Sequence, residues 1–301
     1  MVSPKVLAAV VAACVLAFTG AGTGTAAERR LFPVTVTAKN GKVTIAKRPS
    51  RIVSLSPTAT EMLFAVGAGN QVVAADSLSN YPRRAPRTAL SGFRPNVEAI
   101  AGYRPDLVVG DLDAGVVAEL RALRIPVLVY EAPRQLTGSY SQITALGRAT
   151  GHRTRAAGAV RSMRARIADA VADARRAGSR RLSVFHELTP DLYSATSRTF
   201  VGQVYRLLGL RNIADAADAA GSGYPQLSSE AVIAASPDVV ILADSKCCGQ
   251  SPRTVAARPG WSTVSAVRNG RVVAVDDDVA SRWGPRIASF IRVVANAVTR
   301  R

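Results

Sequence analysis

Histidine, cysteine and tryptophan are scarce in this sequence. Its 301 residues include two histidines, three cysteines and two tryptophans. His152 and His186 are too few for the several imidazoles that zinc and manganese sites use, so we expect no such metal site. With only two histidines, few residues could act as the base of a Ser-His-Asp triad, and neither G-x-S-x-G nor H-E-x-x-H occurs. The sequence therefore favours a protein that is not an enzyme, with an exported hydrolase as the alternative.

Acidic side chains are about half as numerous as basic ones, with 21 Asp and Glu against 39 Lys and Arg and a formal charge of +18. Such a positive charge is typical of proteins that bind nucleic acid. The basic residues are, however, scattered singly or in pairs, and aromatic residues make up only 5% of the chain. Because a nucleic-acid-binding face needs clustered cations, we expect a solvated basic surface and no nucleic acid partner. Attraction to anionic cell-surface polymers stays open.

Long apolar runs are absent except near the amino terminus. Lys5 precedes the apolar run Val6–Phe18, and a segment of small residues then ends in Thr25-Ala26-Ala27. This order is typical of a secretory signal peptide, so residues 1–27 are predicted to be removed and the protein exported to the periplasm or cell envelope. Val11-Ala12-Ala13-Cys14 resembles a lipobox, which leaves lipid anchoring through Cys14 as the alternative.

Cleavage after Ala27 would leave two cysteines, Cys247 and Cys248, which are adjacent in the chain. In an oxidising compartment they are predicted to form a vicinal disulfide, and two free thiols are the alternative. A metal site is not expected, since two adjacent sulfurs do not supply a closed tetrahedral set of ligands.

One motif occurs twice, at residues 96–109 and again at residues 228–241. Aligning Glu98 with Glu230 brings the two copies into register without a gap. Each copy begins with a good N-cap residue and an acid in the first turn, and a proline stops the short helix before an apolar strand. The repeat of a helix-to-strand joint predicts two similar α/β lobes, between which a ligand could be held.

The remaining pattern predicts strands that alternate with helices, and therefore parallel sheets. Alternating apolar residues around Asn40-Gly41 indicate an N-terminal hairpin or flap. Apolar residues at steps of three and four in Arg153–Gly178 predict a helix of about 37 Å, long enough to join the lobes, although a surface helix within one lobe is the alternative. The predicted organisation is a signal peptide (1–27), a hairpin (28–50), an N-terminal α/β lobe (51–152), an inter-lobe helix (153–178) and a C-terminal α/β lobe (179–301).

Several stretches together resemble the helical-backbone substrate-binding proteins of ABC importers, the family that binds cobalamin and ferric siderophores. The resemblance covers residues from about 50 to 298 and is strongest to the periplasmic cobalamin binders. The stretches are R-I-V-S-L-S-P-T-A-T-E-M-L-F-A-V-G-A-G from Arg51, N-Y-P from Asn80, P-N-V-E-A-I-A-G-Y-R-P-D-L-V-V from Pro95, Y-P-Q-L-S-S-E from Tyr224 and G-P-R-I from Gly284.

The resemblance implies a monomer with two Rossmann-like α/β lobes, one long connecting helix and a ligand cleft between the lobes. It implies no cofactor, because the cobalt or iron chelate is itself the ligand, and it implies an ABC permease as partner. Glu98 and Glu230 match the family's permease-docking glutamates. The matching ligand contacts, each of which could instead anchor a loop, are Tyr81, Phe93, Tyr193, Tyr224, Asp278 and Arg282.

The identity of the chelate stays open between cobalamin, a siderophore and haem, because cleft tryptophans are fewer than in the cobalamin binders. For haem or iron, His186-Glu187 is the candidate ligand pair. An envelope scaffold protein that binds no small molecule is a further alternative.

Overall fold

The computed structural model describes residues 31–299. The predicted signal peptide, including Cys14, lies outside the described residues. Within residues 31–299 no helix has the length and apolar character needed to cross a membrane.

The described chain begins with an antiparallel hairpin, formed by β1 (Val34–Ala38) and β2 (Gly41–Ile45). The hairpin was expected, but its turn is shifted by one residue, because Ala38 pairs with Gly41 and the loop is therefore Lys39-Asn40. Gly41 has φ +99°, a conformation that glycine adopts without strain. The Asn40 side chain is fixed by Val127, whose carbonyl accepts a 3.0 Å hydrogen bond from Nδ2. The turn thus covers an edge of the first sheet.

The first lobe has a four-stranded parallel sheet with four helices. Its strands are β3 (Ile52–Leu55), β4 (Val72–Ala75), β5 (Leu107–Gly110) and β6 (Val127–Val129), and their order is β4-β3-β5-β6. Its helices are α1 (Pro57–Ala65), α2 (Val97–Gly102), α3 (Ala114–Ala122) and α4 (Leu136–Ala149). Every residue of β3, β5 and β6 is buried, in keeping with the apolar runs that predicted parallel strands.

The predicted long helix is α5 (Arg153–Arg176). It is followed by Gly178, which has φ +82°. The helix connects the two lobes in the chain, as the apolar spacing and the resemblance both implied.

The second lobe repeats the architecture of the first. Its parallel strands are β7 (Ser183–Glu187), β8 (Arg211–Asn212), β9 (Val239–Leu242) and β10 (Val272–Ala274), and their order is β10-β9-β7-β8. Its helices are α6 (Phe200–Leu208), α7 (Ser229–Ala235), α8 (Ser245–Cys248), α9 (Pro252–Ala256), α10 (Ser265–Arg268), α11 (Asp277–Ser281) and α12 (Ile287–Thr299).

The two sheets have the same strand order when each lobe is numbered by itself, with the second strand at one edge, then the first, third and fourth. The repeated motif occupies equivalent places. Asp106 accepts hydrogen bonds from the backbone of Ser50 and Arg51, and Asp238 accepts one from Ser183 at the start of the neighbouring strand. These observations confirm an α/β protein with two similar parallel sheets.

A single hydrophobic cluster continues from one lobe into the other. It contains β3 and β5 residues such as Ile52, β7 and β9 residues such as Val184, and the buried faces of α5 and α12. Each sheet also packs against one smaller cluster on its opposite face. Because the lobes share a packed core, we expect their relative motion to be small.

Candidate functional site

A cavity of about 430 Å³ lies between the lobes. Leu55 ends β3, and Asp76 and Asp111 directly follow β4 and β5, so the first lobe lines the cavity with the carboxyl ends of its strands. The second lobe contributes Asp278, Ser281, Arg282 and Trp283, which follow β10. Ligands of open α/β sheets bind at this edge.

The guanidinium of Arg282 lies at the wall of the cavity, and its two terminal nitrogens donate to an inter-lobe network. Nη1 donates to Glu61 Oε1 and Asn80 Oδ1, both at 2.9 Å. Nη2 donates to Asp278 Oδ1 at 2.6 Å and to the Leu78 carbonyl at 3.2 Å. Arg282 is 6% exposed and Glu61 is 3% exposed, so this ion pair is buried.

Arg286 forms the second ion pair of Glu61. Its Nε and Nη2 donate to the two carboxylate oxygens at 3.0 and 2.6 Å. The same guanidinium lies 4.4 Å from the centre of the Tyr81 ring, in cation–π geometry. Tyr81, one of the expected ligand contacts, is therefore held against the inter-lobe ion cluster, with about half of its surface exposed.

The mouth of the cavity has an apolar rim. Phe93 is 85% exposed and Leu78 is 50% exposed, and both line the cavity. Trp283 lines it as well, with its indole N–H donating to Gln142 at 2.9 Å. Exposed apolar side chains around a concave site are typical of ligand-binding surfaces.

Three aspartates line the cavity in different electrostatic states. Burial raises the pKa of Asp76, although it accepts hydrogen bonds within its own turn from the Leu78 N–H and Ser79. Burial would raise the pKa of Asp278 too, but hydrogen bonds from Lys246 and Asn80 and the nearby charges lower it overall. Asp111 is only partly buried at the cavity wall, and this partial burial is the main cause of its raised pKa.

The predicted ligand residues do not all reach this cavity. Phe93, Asp278 and Arg282 line it, whereas Tyr81, Tyr193 and Tyr224 do not. Tyr193 and Tyr224 lie on adjacent segments of the second lobe, where the Ser194 N–H donates to the Pro225 carbonyl at 2.9 Å, and they are 40% and 51% exposed. Sequence reasoning missed Asp111, Leu78 and Asn80. For Asp111 a signal existed, since it is the first residue after a buried strand.

The predicted docking residues Glu98 and Glu230 occupy equivalent, exposed positions in the first turns of α2 and α7. Their helices are capped by Asn96 and Ser228, which accept from the third helical N–H at 2.8 and 3.1 Å. Each helix begins at the carboxyl edge of its parallel sheet, because it leads back to the start of the next parallel strand. Both glutamates thus lie at the edges from which the cavity is built.

The structure joins Cys247 and Cys248 in a disulfide on the exposed helix α8. Asp277 holds this turn by accepting from the N–H groups of Lys246 and Cys247 at 3.0 and 2.8 Å. The Lys246 ammonium donates to Asp278 at 2.5 Å. The disulfide turn is therefore tied to α11, which forms part of the cavity wall.

His186 was a candidate ligand for iron or haem at the cleft, but it lies inside β7 and is fully buried. Burial lowers its pKa to about 3, and its Nδ1 is 2.5 Å from the hydroxyl of Tyr205. Phe290 packs edge-on against both the His186 and the Tyr205 rings. His186 is a core residue and does not reach the cavity.

Two buried carboxyl groups meet at the ends of β7 and β9. Glu187 is paired with Arg258 through two hydrogen bonds of 2.6 and 2.7 Å. Asp244, also fully buried, has no hydrogen-bond partner for either carboxylate oxygen. Burial, followed by the charge of Glu187, raises the pKa of Asp244 to about 7. Within the described residues no group of three or more His, Cys, Asp or Glu side chains could hold a metal ion.

Comparison with known sequences agrees with this geometry. A family model described as periplasmic binding protein matches residues 52–279. An uncharacterized ABC transporter substrate-binding lipoprotein of Bacillus subtilis is 31% identical, over 89% of this chain and 86% of its own. A cobalamin-binding protein of Halobacterium salinarum is 34% identical, over 88% and 74%.

Solved structures of the same fold cover a similar share of the chain. A periplasmic heme-binding protein from Roseiflexus is 29% identical with a TM-score of 0.71, over 83% of this chain and 98% of its own. The periplasmic vitamin B12 binding protein of Vibrio cholerae is 26% identical with a TM-score of 0.66, over 83% and 96%.

Proposed function

The chain belongs to the periplasmic binding protein family, and from this premise we propose that it captures a metal-chelate nutrient and delivers it to the membrane permease of an ABC importer. The proposed ligand is cobalamin or a ferric siderophore. The observation that carries the proposal is the cavity of about 430 Å³ between two similar lobes, with an exposed apolar rim at its mouth. The names of the relatives support the same role.

The apolar rim and the polar wall would have different tasks. Phe93, Leu78 and Trp283 would cover the flat or apolar surface of a chelate, and burial of that surface would supply most of the affinity. The polar groups beneath them would orient the ligand. Because the lobes share one core, capture needs little reorganisation, and affinity is not reduced by a large closing motion.

Delivery would use the two glutamates at the carboxyl edges. Glu98 and Glu230 are exposed, equivalent in the two lobes and free of ligand-binding duties, which suits a pair of contacts with basic side chains of a permease. Exposed ion pairs contribute about 0.2–1 kcal/mol each, so we assign them mainly to orientation and encounter.

We further propose that the protein catalyses no reaction on its ligand. Its relatives are binding proteins. No histidine lines the cavity in the part of the chain that the structure describes, so the serines and threonine there lack an imidazole base. Export follows from the family, while monomeric state and either signal cleavage or a lipid anchor at Cys14 belong to the proposal.

Tryptophan fluorescence offers a direct test, because Trp283 lines the cavity and Trp261 is fully buried in the second lobe. Purified protein is titrated with cyanocobalamin, haem and several ferric siderophores. We expect saturable quenching by cyanocobalamin or by one of the ferric siderophores, and loss of most of that signal in Trp283→Phe. Quenching by haem alone would show that the ligand is haem and not cobalamin or a siderophore. No response to any compound would favour a scaffold protein. Turnover of a chromogenic ester would contradict the proposed absence of catalysis.

A further inference from the structure

The charges of the cavity differ from those of the protein as a whole. The sequence has a formal charge of +18. Of the described residues that line the cavity, three are aspartates, one is an arginine and none is a lysine. The sign of the wall is therefore opposite to that of the surface, and this contrast bears on which chelate the proposed function would accept.

Arg282 is the one cationic side chain among the described residues of the wall, and its two terminal nitrogens are bound to other parts of the protein. Both terminal nitrogens of Arg282 donate to two protein acceptors each, and Glu61 lies against it as a buried counter-charge. Moving Arg282 to a ligand carboxylate would break its buried ion pair with Glu61 and its hydrogen bonds to Asn80, Leu78 and Asp278, although Glu61 would keep Arg286. Beyond the wall, Lys246 is bound to Asp278, and Lys39, whose charge acts on Asp111, is bound to Glu131.

The three aspartates of the wall differ in their exposure and in their hydrogen-bond partners. Asp76 is 1% exposed and accepts hydrogen bonds within its own turn, and Asp278 is held by Lys246, Asn80 and Arg282. Asp111, by contrast, is exposed, and its carboxylate has no hydrogen-bond partner among residues 31–299. It is the first residue after β5, a central strand whose carboxyl end opens on the cavity.

From these contacts we infer that the cavity selects a neutral or positively charged chelate, and that Asp111 is the charged side chain that contacts it. The inference rests on the proposed function and narrows its ligand class. Neutral chelates rimmed with amide N–H groups, or ferric hydroxamates with a protonated amine, could donate to Asp111. Propionates, citrate carboxylates or catecholates would instead lie against Asp111 and Asp278, and the terminal nitrogens of Arg282, the one cation among the described lining residues, are already bound to protein acceptors.

The experiment compares three ferric chelates and cyanocobalamin by equilibrium titration at one ionic strength. The ferric probes are a trihydroxamate with a protonated amine, a neutral trihydroxamate and a triply anionic tricatecholate. We expect the cationic or the neutral compounds to bind and the tricatecholate to bind at least tenfold more weakly. The parent protein is compared with Asp111→Asn, with Asp111→Lys and with Asp169→Asn, an exposed acid of α5 outside the cavity.

Asp111→Asn should weaken binding of the cationic chelate about two- to fivefold and leave the neutral chelate within about twofold. Asp111→Lys should narrow or reverse the preference against the tricatecholate, and Asp169→Asn should match the parent. Tightest binding of the tricatecholate to the parent would overturn the inference while leaving the proposed function intact. Equal effects of Asp111→Asn on cationic and neutral chelates would also overturn it. If no chelate binds at all, the proposed function fails and the inference fails with it.

Discussion

Glu61→Gln tests the inter-lobe ion cluster, because Glu61 receives both Arg282 and Arg286. The side chains of Glu61 and Arg282 are 1% and 7% exposed, and that of Arg286 is 19% exposed. Removing one partner of a buried ion pair costs about 3–5 kcal/mol, since the other charge stays buried. Arg282 keeps Asp278 as an acceptor, so the lower end of this range applies.

A destabilisation of about 3 kcal/mol corresponds to a fall in Tm of roughly 5 °C for a chain of this size. The assay is thermal and urea unfolding followed by circular dichroism at two salt concentrations. The matched control is Glu131→Gln, which removes the exposed pair with Lys39, whose side chain is 55% exposed. That change should cost less than about 1 kcal/mol. If the free energy of unfolding of Glu61→Gln lies within about 1 kcal/mol of that of the parent, the lobes are not held together by this cluster.

Three further predictions concern docking and protonation. Glu98→Ala combined with Glu230→Ala should abolish uptake of the ligand by cells while its affinity stays within about twofold; loss of affinity would remove the docking assignment. Partial burial raises the pKa of Asp111 above the ordinary 3.8; the charge of Lys39 lowers this pKa and the charge of Glu131 raises it further. Affinity for a cationic chelate should therefore fall as the pH drops through the raised pKa, because Asp111 becomes neutral. The neutral chelate should show no such limb in a pH titration. For Asp244, whose pKa is raised to about 7, the folded state binds more protons than the unfolded state between pH 3.8 and about 7, so stability falls as pH rises through that window. Asp244→Asn should therefore gain more in Tm over the parent at pH 8 than at pH 5, and an equal difference at both pH values would contradict the buried, unpartnered carboxyl group.

The sequence predicted the lobes well because their elements carry strong local signals. The repeated motif combines an N-cap, a first-turn acid and a proline stop, and both copies form the expected joint, as the caps Asn96 and Ser228 show. The long helix was expected over Arg153–Gly178 and runs from Arg153 to Arg176. The strand β8 and the helices α8 to α11 were missed, because segments of two to five residues show no periodicity.

The candidate site was harder to predict, because its contacts are set by tertiary structure. Arg282 was expected to face a ligand, and the structure shows its donors engaged by Glu61, which lies more than 200 residues away in the chain. No local pattern reports such a pair. His186 ends an apolar run and was placed at the cleft, whereas the strand continues through Glu187 and buries it. Asp111 could have been found by asking which residue follows each buried strand.

The most direct measurement of the central claim is the equilibrium titration of purified protein with cyanocobalamin and ferric siderophores, read from Trp283. We predict saturable one-to-one binding of one such chelate, with the signal lost in Trp283→Phe and retained in Asp169→Asn. The absence of binding by every chelate, with the protein folded, would contradict it.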